Sequence, residues 1–284
     1  MKRSVVVQGI ALLILVAITL GIWWAVAREE RNGILTVSFL DVGQGDAVFI
    51  DAPSGRQVLI DGGKGRVVLR ELGKQMPWYD RTIDVVVATH PDQDHIGGLV
   101  DVLVRYTVDA IIESSVFDDG SDAKAFEEAS EREGAARLVA ERGQIIHLGG
   151  GAYLEILFPD RDVSGLETNT GSVIARLVYG ETAFMLTGDS PQSIEKYLVQ
   201  LNGEALASNV LKVGHHGSKT SSHESFVGFV SPEYAVFSRG CDNSYGHPHA
   251  DVRALFDRFE IDTLDTCEEG TITFVSDGRS ISLR

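Results

Sequence analysis

The sequence is poor in cysteine and in basic residues, and both shortages limit what the protein can be. Only Cys241 and Cys267 are present among 284 residues, too few for a zinc-finger array or a disulfide framework. Lys and Arg number 25 against 41 Asp and Glu, which gives a formal net charge of −16. Because such an acidic surface repels polyanions, the composition excludes a protein that coats DNA through a basic groove. The sequence does not decide whether the two cysteines pair.

The N-terminal segment carries the one long apolar run. From Val5 to Ala27 the chain is apolar at all but four positions, and about 20 such residues cross a bilayer. Lys2 and Arg3 precede the run and favour a cytoplasmic N-terminus, with the remaining chain outside the cytoplasm at the cell membrane. The alternative is a signal cleaved after Ala27 and a secreted protein. We predict three segments, namely a transmembrane signal anchor at 1–27, a polar linker at 28–33 and one folded domain at 34–284.

The folded domain shows apolar strands and amphipathic helices without internal repeats. Strands come first, and strands and helices then alternate, which is typical of two sheets flanked by helices. A long charged, Ala-rich helix is predicted over Ala123–Arg142. A closing strand pair is predicted at Thr271–Val275 and Arg279–Leu283, joined by an Asp-Gly turn.

Four possible metal ligands follow the predicted strand Ile83–Thr89. His90, Asp92, Asp94 and His95 fall within six residues, and imidazole together with carboxylate suits zinc, manganese or iron. Because a loop at a strand end can direct alternate side chains to one point, we expect His90 and Asp92 at one ion. Asp94 and His95 are expected at its neighbour. A solvated polar turn is the alternative, disfavoured by two histidines and two aspartates so close together.

Three later segments repeat this placement of His or Asp after a strand. Asp189 alone would be a helix N-cap, but beside the first group it is suited to bridge two ions. His215 and His216 are adjacent, and adjacent side chains of an extended chain point in opposite directions. We therefore expect one of them to bind metal and the other to face substrate. His247 and His249 can face the same side ahead of a helix, with a surface turn as the alternative.

The order of these residues resembles the metallo-β-lactamase superfamily, and more narrowly the hydrolase domain of the ComEC family of competence DNA-channel proteins. The motifs follow the family order from Phe39 to His249. They are Phe39-Leu40-Asp41-Val42-Gly43-Gln44-Gly45-Asp46-Ala47, Leu59-Ile60-Asp61-Gly62-Gly63, the His90 to His95 run, Leu186-Thr187-Gly188-Asp189, Val213-Gly214-His215-His216-Gly217-Ser218 and Gly246-His247-Pro248-His249. The channel proteins carry a large polytopic membrane portion. This chain has one candidate span, so it resembles the hydrolase domain alone.

The resemblance implies an αββα sandwich with two divalent ions, zinc or manganese, at the edge between the sheets. The metal ligands that it implies are His90, Asp92, Asp94, His95, Asp189 as the bridge, and His216 or His215. Asp61 is expected to support the loop. Many superfamily members have His at the position of Asp92 and a further His before the bridging Asp. Here Asn169 or water is expected in that second place, and the oxygen-rich site shifts the preference toward manganese or an exchangeable zinc.

The predicted activity is hydrolysis of a phosphodiester, with single-stranded DNA as one candidate substrate. Asp94 is expected to orient the attacking water and His247 to donate a proton to the leaving oxygen or hold a phosphate oxygen. Ser218, Lys219, His215 and His249 are the predicted substrate-binding residues, although Lys219 is equally well explained as part of a solvated loop.

Two other functions stay open at this point. The same site could act on phosphorylcholine esters of a cell wall, another small phosphodiester or, least favoured, a β-lactam. The chain could instead be a non-catalytic component of a DNA-uptake complex. Without the first 31 residues, 21 basic residues face 39 acidic ones, a net charge of −18. That charge favours small substrates or a metal-mediated grip over broad binding of polyanions.

Overall fold

The computed structural model describes residues 2–29 and 33–284, with side chains described at 7–23 and from 33 onward. The chain divides into two compact units, Met1–Gly33 and Ile34–Arg284.

The first unit contains helix α1 (Lys2–Glu29). Among the residues that the structure describes, no helix is both long enough and apolar enough to cross a membrane. The described side chains of α1 run from Val7 to Trp23, fewer than the roughly 20 apolar residues that a bilayer core requires. On this finding the predicted transmembrane anchor is wrong, and so is the single-pass location at the cell membrane that followed from it. The predicted linker falls mainly on residues 30–32, which lie outside the described residues.

The second unit is built from two β-sheets with helices on their outer faces. Its strands are β1 (Leu35–Phe39), β2 (Val48–Asp51), β3 (Gln57–Ile60), β4 (Thr82–Ala88), β5 (Thr107–Glu113), β6 (Ala136–Val139), β7 (Ile145–Gly149), β8 (Ala152–Phe158), β9 (Ile174–Tyr179), β10 (Thr182–Leu186), β11 (Val210–Lys212), β12 (Tyr234–Phe237), β13 (Asp262–Asp265), β14 (Ile272–Ser276) and β15 (Ile281–Leu283). Its helices are α2 (Val67–Gln75), α3 (Gln93–Arg105), α4 (Ser121–Glu133), α5 (Gln192–Asn202), α6 (Glu224–Val230), α7 (Ala250–Arg258) and α8 (Thr266–Glu269). The predicted two-sheet α/β architecture is confirmed.

Strand order places the ends of several parallel strands side by side. The first sheet runs β15-β14-β1-β2-β3-β4-β5-β6, and the second runs β13-β12-β11-β10-β9-β8-β7. In the first sheet β3 to β6 are parallel, and in the second β10 to β13 are parallel. Because the carboxyl ends of neighbouring parallel strands share one edge, the loops that follow them are brought together there.

Three apolar layers stabilise the unit. Successive side chains along the strands alternate between the two faces of each sheet and so enter different layers. Phe39, Phe184 and Phe274 meet between the sheets with ring centroids 6.1 Å apart. Met185, the neighbour of Phe184, points to the opposite face and joins the layer under α5, α6 and α7. A third layer lies between the first sheet and α2, α3 and α4. Successive strand residues face opposite sides, so β10 is buried on both faces.

Helix α3 approaches the loop after β3 closely enough to require glycine. A Cβ added at Gly98 would lie 2.1 Å from the carbonyl oxygen of Gly62, and one at Gly45 would lie 2.1 Å from the carbonyl oxygen of Asp94. The Gly-rich turns therefore allow the start of α3, with its ligand side chains, to sit against the β1–β2 and β3–α2 loops.

The structure corrects two predicted elements. The helix predicted over Ala123–Arg142 ends at Glu133, where Gly134 adopts a left-handed conformation with φ 76°. The chain then continues as β6, which pairs with β5 in parallel. Ala136, Arg137 and Leu138 are good helix formers and gave β6 a helix-like composition, whereas the left-handed glycine is a strong helix stop. Strand β13 was missed because it is short and largely polar.

Candidate metal centre

Ligand side chains from three segments converge at the shared edge of the two sheets. His90 follows β4, and Asp94 and His95 lie in the first turn of α3. Asp189 follows β10 and His216 follows β11. These side chains form four groups in which the ligand atoms all lie within 4.8 Å of one another. Two of the groups share His95, namely His90 with His95 and Asp189, and Asp94 with His95 and His216. The other two contain Asp46, with Asp61 and His95 in one and with Asp189 and His216 in the other.

Buried polar atoms without a hydrogen-bond partner mark the centre of this arrangement. They include the Nε2 atoms of His90, His95 and His216 and Oδ1 of Asp189. An unpaired polar atom in the interior costs free energy unless it binds something. The three imidazole nitrogens and the carboxylate form a donor set of the kind that holds zinc or manganese. The residues present therefore fit a divalent metal site.

The outward nitrogen of each of these histidines is held by the protein. Nδ1 of His95 lies 2.8 Å from Oδ2 of Asp61, and Asp61 also accepts hydrogen bonds from the amide and hydroxyl of Thr89. The Thr89 hydroxyl lies 3.0 Å from Nδ1 of His90, and Nδ1 of His216 lies 2.8 Å from the Ser238 carbonyl oxygen. Such contacts fix the tautomer and leave Nε2 free for metal. Asp61 lies where the predicted loop support requires it.

The His215-His216 pair departs from the expected geometry. Both residues have positive φ, 49° and 54°, so the chain is not extended there and the argument from alternating side chains does not apply. Nε2 of His215 lies 3.6 Å from Oδ2 of Asp189, and Nε2 of His216 lies 3.4 Å from the same atom. His216 belongs to the ligand groups and is buried, whereas His215 is partly exposed at the rim.

Charges around the site oppose the cost of burial. Burial disfavours the charged form of His216, but Asp189 and Asp46 outweigh it and raise its pKa to about 9. The pKa of His95 is raised in the same way, where Asp189 and Asp61 outweigh burial. Burial alone would raise the pKa of Asp189, yet His216 and His95 hold it well below its usual range. In the absence of metal these histidines carry protons at the positions where a cation would bind, so protons and metal compete for them.

Asp46 and Lys212 form a part of the site that sequence reasoning did not assign. The Lys212 ammonium is fully buried, pairs with a carboxylate oxygen of Asp46 and lies 3.6 Å from Oδ1 of Asp189. It also donates to the Gly188 carbonyl at 3.1 Å. Asp46 stands in one of the motifs that carry the family resemblance. A lysine inside an apolar strand was the available signal for Lys212, because lysine is rarely buried without a partner.

The remaining predicted ligands lie on the open side of the cluster. Oδ2 of Asp92 lies 3.7 Å from the free Nε2 of His90, and Oδ2 of Asp94 lies 3.4 Å from Nε2 of His216. Asn169 sits in the short turn before β9 and has a buried Oδ1 with no hydrogen-bond partner. Its neighbour Thr168 lies close enough to Asp92 to help lower the pKa of that carboxyl group. The loop that contains Asn169, the residue expected in place of the family's further histidine, thus lies against the first ligand group.

The predicted substrate-binding residues are divided between two places. The His247 ring lies 5.6 Å from the His215 ring and 5.4 Å from the His249 ring, measured between centroids. The buried hydroxyl of Ser218 bonds to Thr220, which in turn contacts Nδ1 of His215.

Lys219 is exposed and lines a separate cavity with Gln192 and Asp251. The described contacts do not bring its ammonium to the cluster, so its role on phosphate stays a prediction.

The loop that carries His247 is fastened by a disulfide. Cys241 and Cys267 are bonded and join this loop to α8, which answers the question that the sequence left open. Within the loop, Asn243 accepts a hydrogen bond from the His247 amide and donates one to the His247 carbonyl. His247 therefore stands on a segment held at several points.

Comparison with known proteins agrees with this geometry. A family described as the metallo-beta-lactamase superfamily matches residues 40–240. ComE operon protein 3 of Bacillus subtilis is 32 % identical over 195 residues, which cover 68 % of this chain and 25 % of that protein. Competence protein ComA of Neisseria gonorrhoeae is 34 % identical over 194 residues, with the same two coverages. The chain thus spans about a quarter of the length of these relatives. Their names confirm the resemblance to the ComEC-like competence proteins.

Solved structures show the same fold at low sequence identity. The metallo-beta-lactamase fold protein YhfI of Bacillus subtilis superimposes with a TM-score of 0.59 at 12 % identity, over 85 % of this chain and 100 % of that one. Igni18, a metallo hydrolase of Ignicoccus hospitalis, gives 0.56 at 17 % identity, over 84 % and 98 %.

Proposed function

The chain belongs to the metallo-beta-lactamase superfamily, and from that premise we propose that it is a metal-dependent phosphodiesterase of the ComEC-like branch. Members of this superfamily are metal-dependent hydrolases. The relatives with competence names make nucleic acid, single-stranded DNA in particular, the first substrate to test.

One observation carries the proposal. Two groups of candidate metal ligands share His95, and Asp189 belongs to the first group and lies beside the second. His90, His95 and Asp189 form one group, and Asp94, His95 and His216 form the other. Overlapping groups of this kind suit two neighbouring ions, zinc or manganese, as proposed from the resemblance. A pair of ions is a common device for phosphodiester cleavage, because both the attacking and the leaving oxygen need charge stabilisation.

When bound, divalent ions would supply Lewis acidity and lower the pKa of water toward about 7. The chain's own residues supply position and charge. His90, Asp92, Asp94, His95, Asp189 and His216 would hold the ions, with Asn169 beside the first group. Asp94, on the open side of the cluster, would accept a hydrogen bond from the attacking water and orient it.

His247 is proposed to contact the substrate as a neutral imidazole. Burial, together with His215 and His216, lowers the pKa of His247 to about 4, and its Nδ1 is buried without a hydrogen-bond partner. At neutral pH an N–H of the uncharged ring can donate to a phosphate oxygen. This favours, of its two predicted roles, holding a phosphate oxygen over donating a full proton to the leaving group.

The test uses the purified full chain, stripped of metal and reloaded with manganese or zinc. Hydrolysis of bis-p-nitrophenyl phosphate and of single-stranded DNA is measured for the wild type, Asp189→Asn and Asp109→Asn. Asp109 is an exposed aspartate on β5, so its variant controls for the loss of one charge. We expect metal-dependent turnover that Asp189→Asn reduces by roughly a hundredfold or more and Asp109→Asn leaves unchanged.

The other outcomes separate the alternatives. Hydrolysis of the small ester but not of DNA would indicate that the substrate is a wall or lipid phosphodiester, such as a phosphorylcholine ester. Two bound ions without turnover of either substrate would overturn the proposal in favour of a non-catalytic component of a DNA-uptake complex.

A further inference from the structure

A groove adjoins the candidate metal centre on the side of His90. Its volume is about 550 Å³, within the range of pockets that hold small organic ligands. It lies between α4 and the loop after β5, over the ends of β4 and β5, and its lining includes His90 and Pro91. Because His90 also belongs to the first ligand group, the groove and the candidate metal centre share a residue.

The groove presents an aromatic ring on a fixed backbone. The Phe117 side chain is 73 % exposed, but the neighbouring segment is tied down. Ser114 donates its hydroxyl to the Gly171 carbonyl at 2.7 Å, and the Phe117 amide donates to the Ser164 carbonyl at 3.4 Å. Val116 packs so closely on Gly171 that a Cβ there would lie 1.8 Å from it. Phe117 therefore exposes a large apolar ring, and hydrogen bonds and packing hold its backbone in place.

Charge in the groove disfavours anions. Arg137 contacts Glu127 and Glu113, each with a nitrogen–oxygen distance of 2.6 Å, so its charge is already balanced. Asp118 and Asp119 add two carboxylates to the lining. Among the described residues neither has an ion-pair partner within 4.0 Å. The opposing charge is the single ammonium of Lys124 on α4.

We propose that this groove binds an aromatic, uncharged substituent of the phosphodiester, of the nucleobase kind, against Phe117 and keeps a second phosphate group out of the groove, so that the other phosphates of a DNA strand would run outside it. The inference rests on the proposed function, because the phosphodiester must sit on the metal ligands. An aromatic base stacks on an exposed phenylalanine ring in a sequence-tolerant way. A further phosphate in the same groove would meet Asp118 and Asp119 instead of a basic side chain.

The first test compares thymidylyl-thymidine with the same dinucleoside phosphate in which both bases are absent. Both compounds carry one phosphodiester, so only the base differs. With the metal-loaded full chain we expect kcat/KM to be roughly tenfold higher for the compound with bases, as expected for one stacked base. Phe117→Ala is expected to remove most of this advantage. Trp78→Ala, which alters an exposed aromatic side chain outside the groove, is expected to keep it.

The second test adds terminal phosphates to thymidylyl-thymidine. At low ionic strength we expect the phosphorylated compound to react about threefold to tenfold more slowly. Asp118→Asn combined with Asp119→Asn should abolish that difference. An unchanged difference in the double variant would overturn the charge part of the inference.

Calorimetric binding of the two dinucleoside phosphates, with and without bases, separates this inference from the proposed function. Equal affinities in the wild type would overturn the groove as a base site whether or not turnover occurs. Tighter binding of the compound with bases, lost in Phe117→Ala, would support the groove even if no phosphodiester were hydrolysed.

Discussion

Asp61 offers a direct test of how the protein orients its metal ligands. Its carboxylate is buried and lies 2.8 Å from Nδ1 of His95, while the Thr89 amide and hydroxyl donate to it at 2.8 and 2.7 Å. Asp61→Asn keeps the size of the side chain and removes its charge. One of the two oxygens becomes an NH₂ group, so at least one donor then faces another donor.

The size of the effect follows from these contacts. A hydrogen bond to a charged group contributes about 1.5–3 kcal/mol and a neutral one about 0.5–1.5 kcal/mol. The basicity of His95 falls as well, because its carboxylate partner is gone. Loss of such a partner typically lowers metal affinity by about 10- to 100-fold, or about 1.4–2.8 kcal/mol. His95 belongs to both of the ligand groups proposed to hold the ions, so the metal occupancy of both should fall.

Competition against a chromophoric chelator measures the metal affinity of the purified full chain. Asp84→Asn is the matched control, because Asp84 accepts a backbone hydrogen bond from Gln57 at 2.7 Å in the same sheet and lies outside the ligand groups. We expect the control to bind metal as the wild type does. Affinity of Asp61→Asn within twofold of the wild type, or an equal loss in both variants, would refute the reasoning.

Three further predictions concern protons, a buried charge and the disulfide. Burial disfavours the charged form of His216, but nearby carboxylates hold its pKa at about 9, and the pKa of His95 is raised as well. Because bound metal displaces these protons, the metal association constant should rise by at least about tenfold per pH unit from neutral pH toward 9. A pH-independent constant in chelator titrations would contradict this. Lys212→Met leaves the charges of Asp46 and Asp189 without their cation. The free energy of unfolding of the metal-free protein, measured in urea, should therefore fall by about 3–5 kcal/mol, and bound metal should restore part of it. An equal fall in the free energy of unfolding with and without metal would show that Lys212 contributes to packing only. Cys241→Ser opens a link across 26 residues and should cost about 2–4 kcal/mol in thermal unfolding; a loss below about 1 kcal/mol would argue against the bond in solution.

The sequence predicted the parts of the site that local pattern controls. An apolar strand followed at once by His and Asp places the ligand at a sheet edge, and His90, His95 and Asp189 lie together there. The pattern instead pairs His90 with Asp92 and His95 with Asp94. The two-sheet architecture followed from the order of strands and helices. The family resemblance, and not local pattern, indicated Asp61.

Contacts between distant segments were beyond sequence reasoning. The Lys212–Asp46 pair joins β11 to the β1–β2 loop, and neither residue predicts the other. His215 and His216 depend on backbone angles that their residue type does not favour. Gly134 ended a helix that composition alone would have continued into β6. In the first two cases tertiary structure decides the outcome, whereas Gly134 is a local stop signal that the composition of the segment outweighed.

The central claim is that the His/Asp cluster is a hydrolytic metal centre, and one titration tests it most directly. Manganese or zinc is added stepwise to the metal-stripped full chain while bound metal and the rate of bis-p-nitrophenyl phosphate hydrolysis are measured in the same samples. We expect the rate to rise with the metal bound to the cluster and Asp189→Asn to remove the rate and the bound metal together. Full binding without any rate, or a rate that persists in Asp189→Asn, would contradict it.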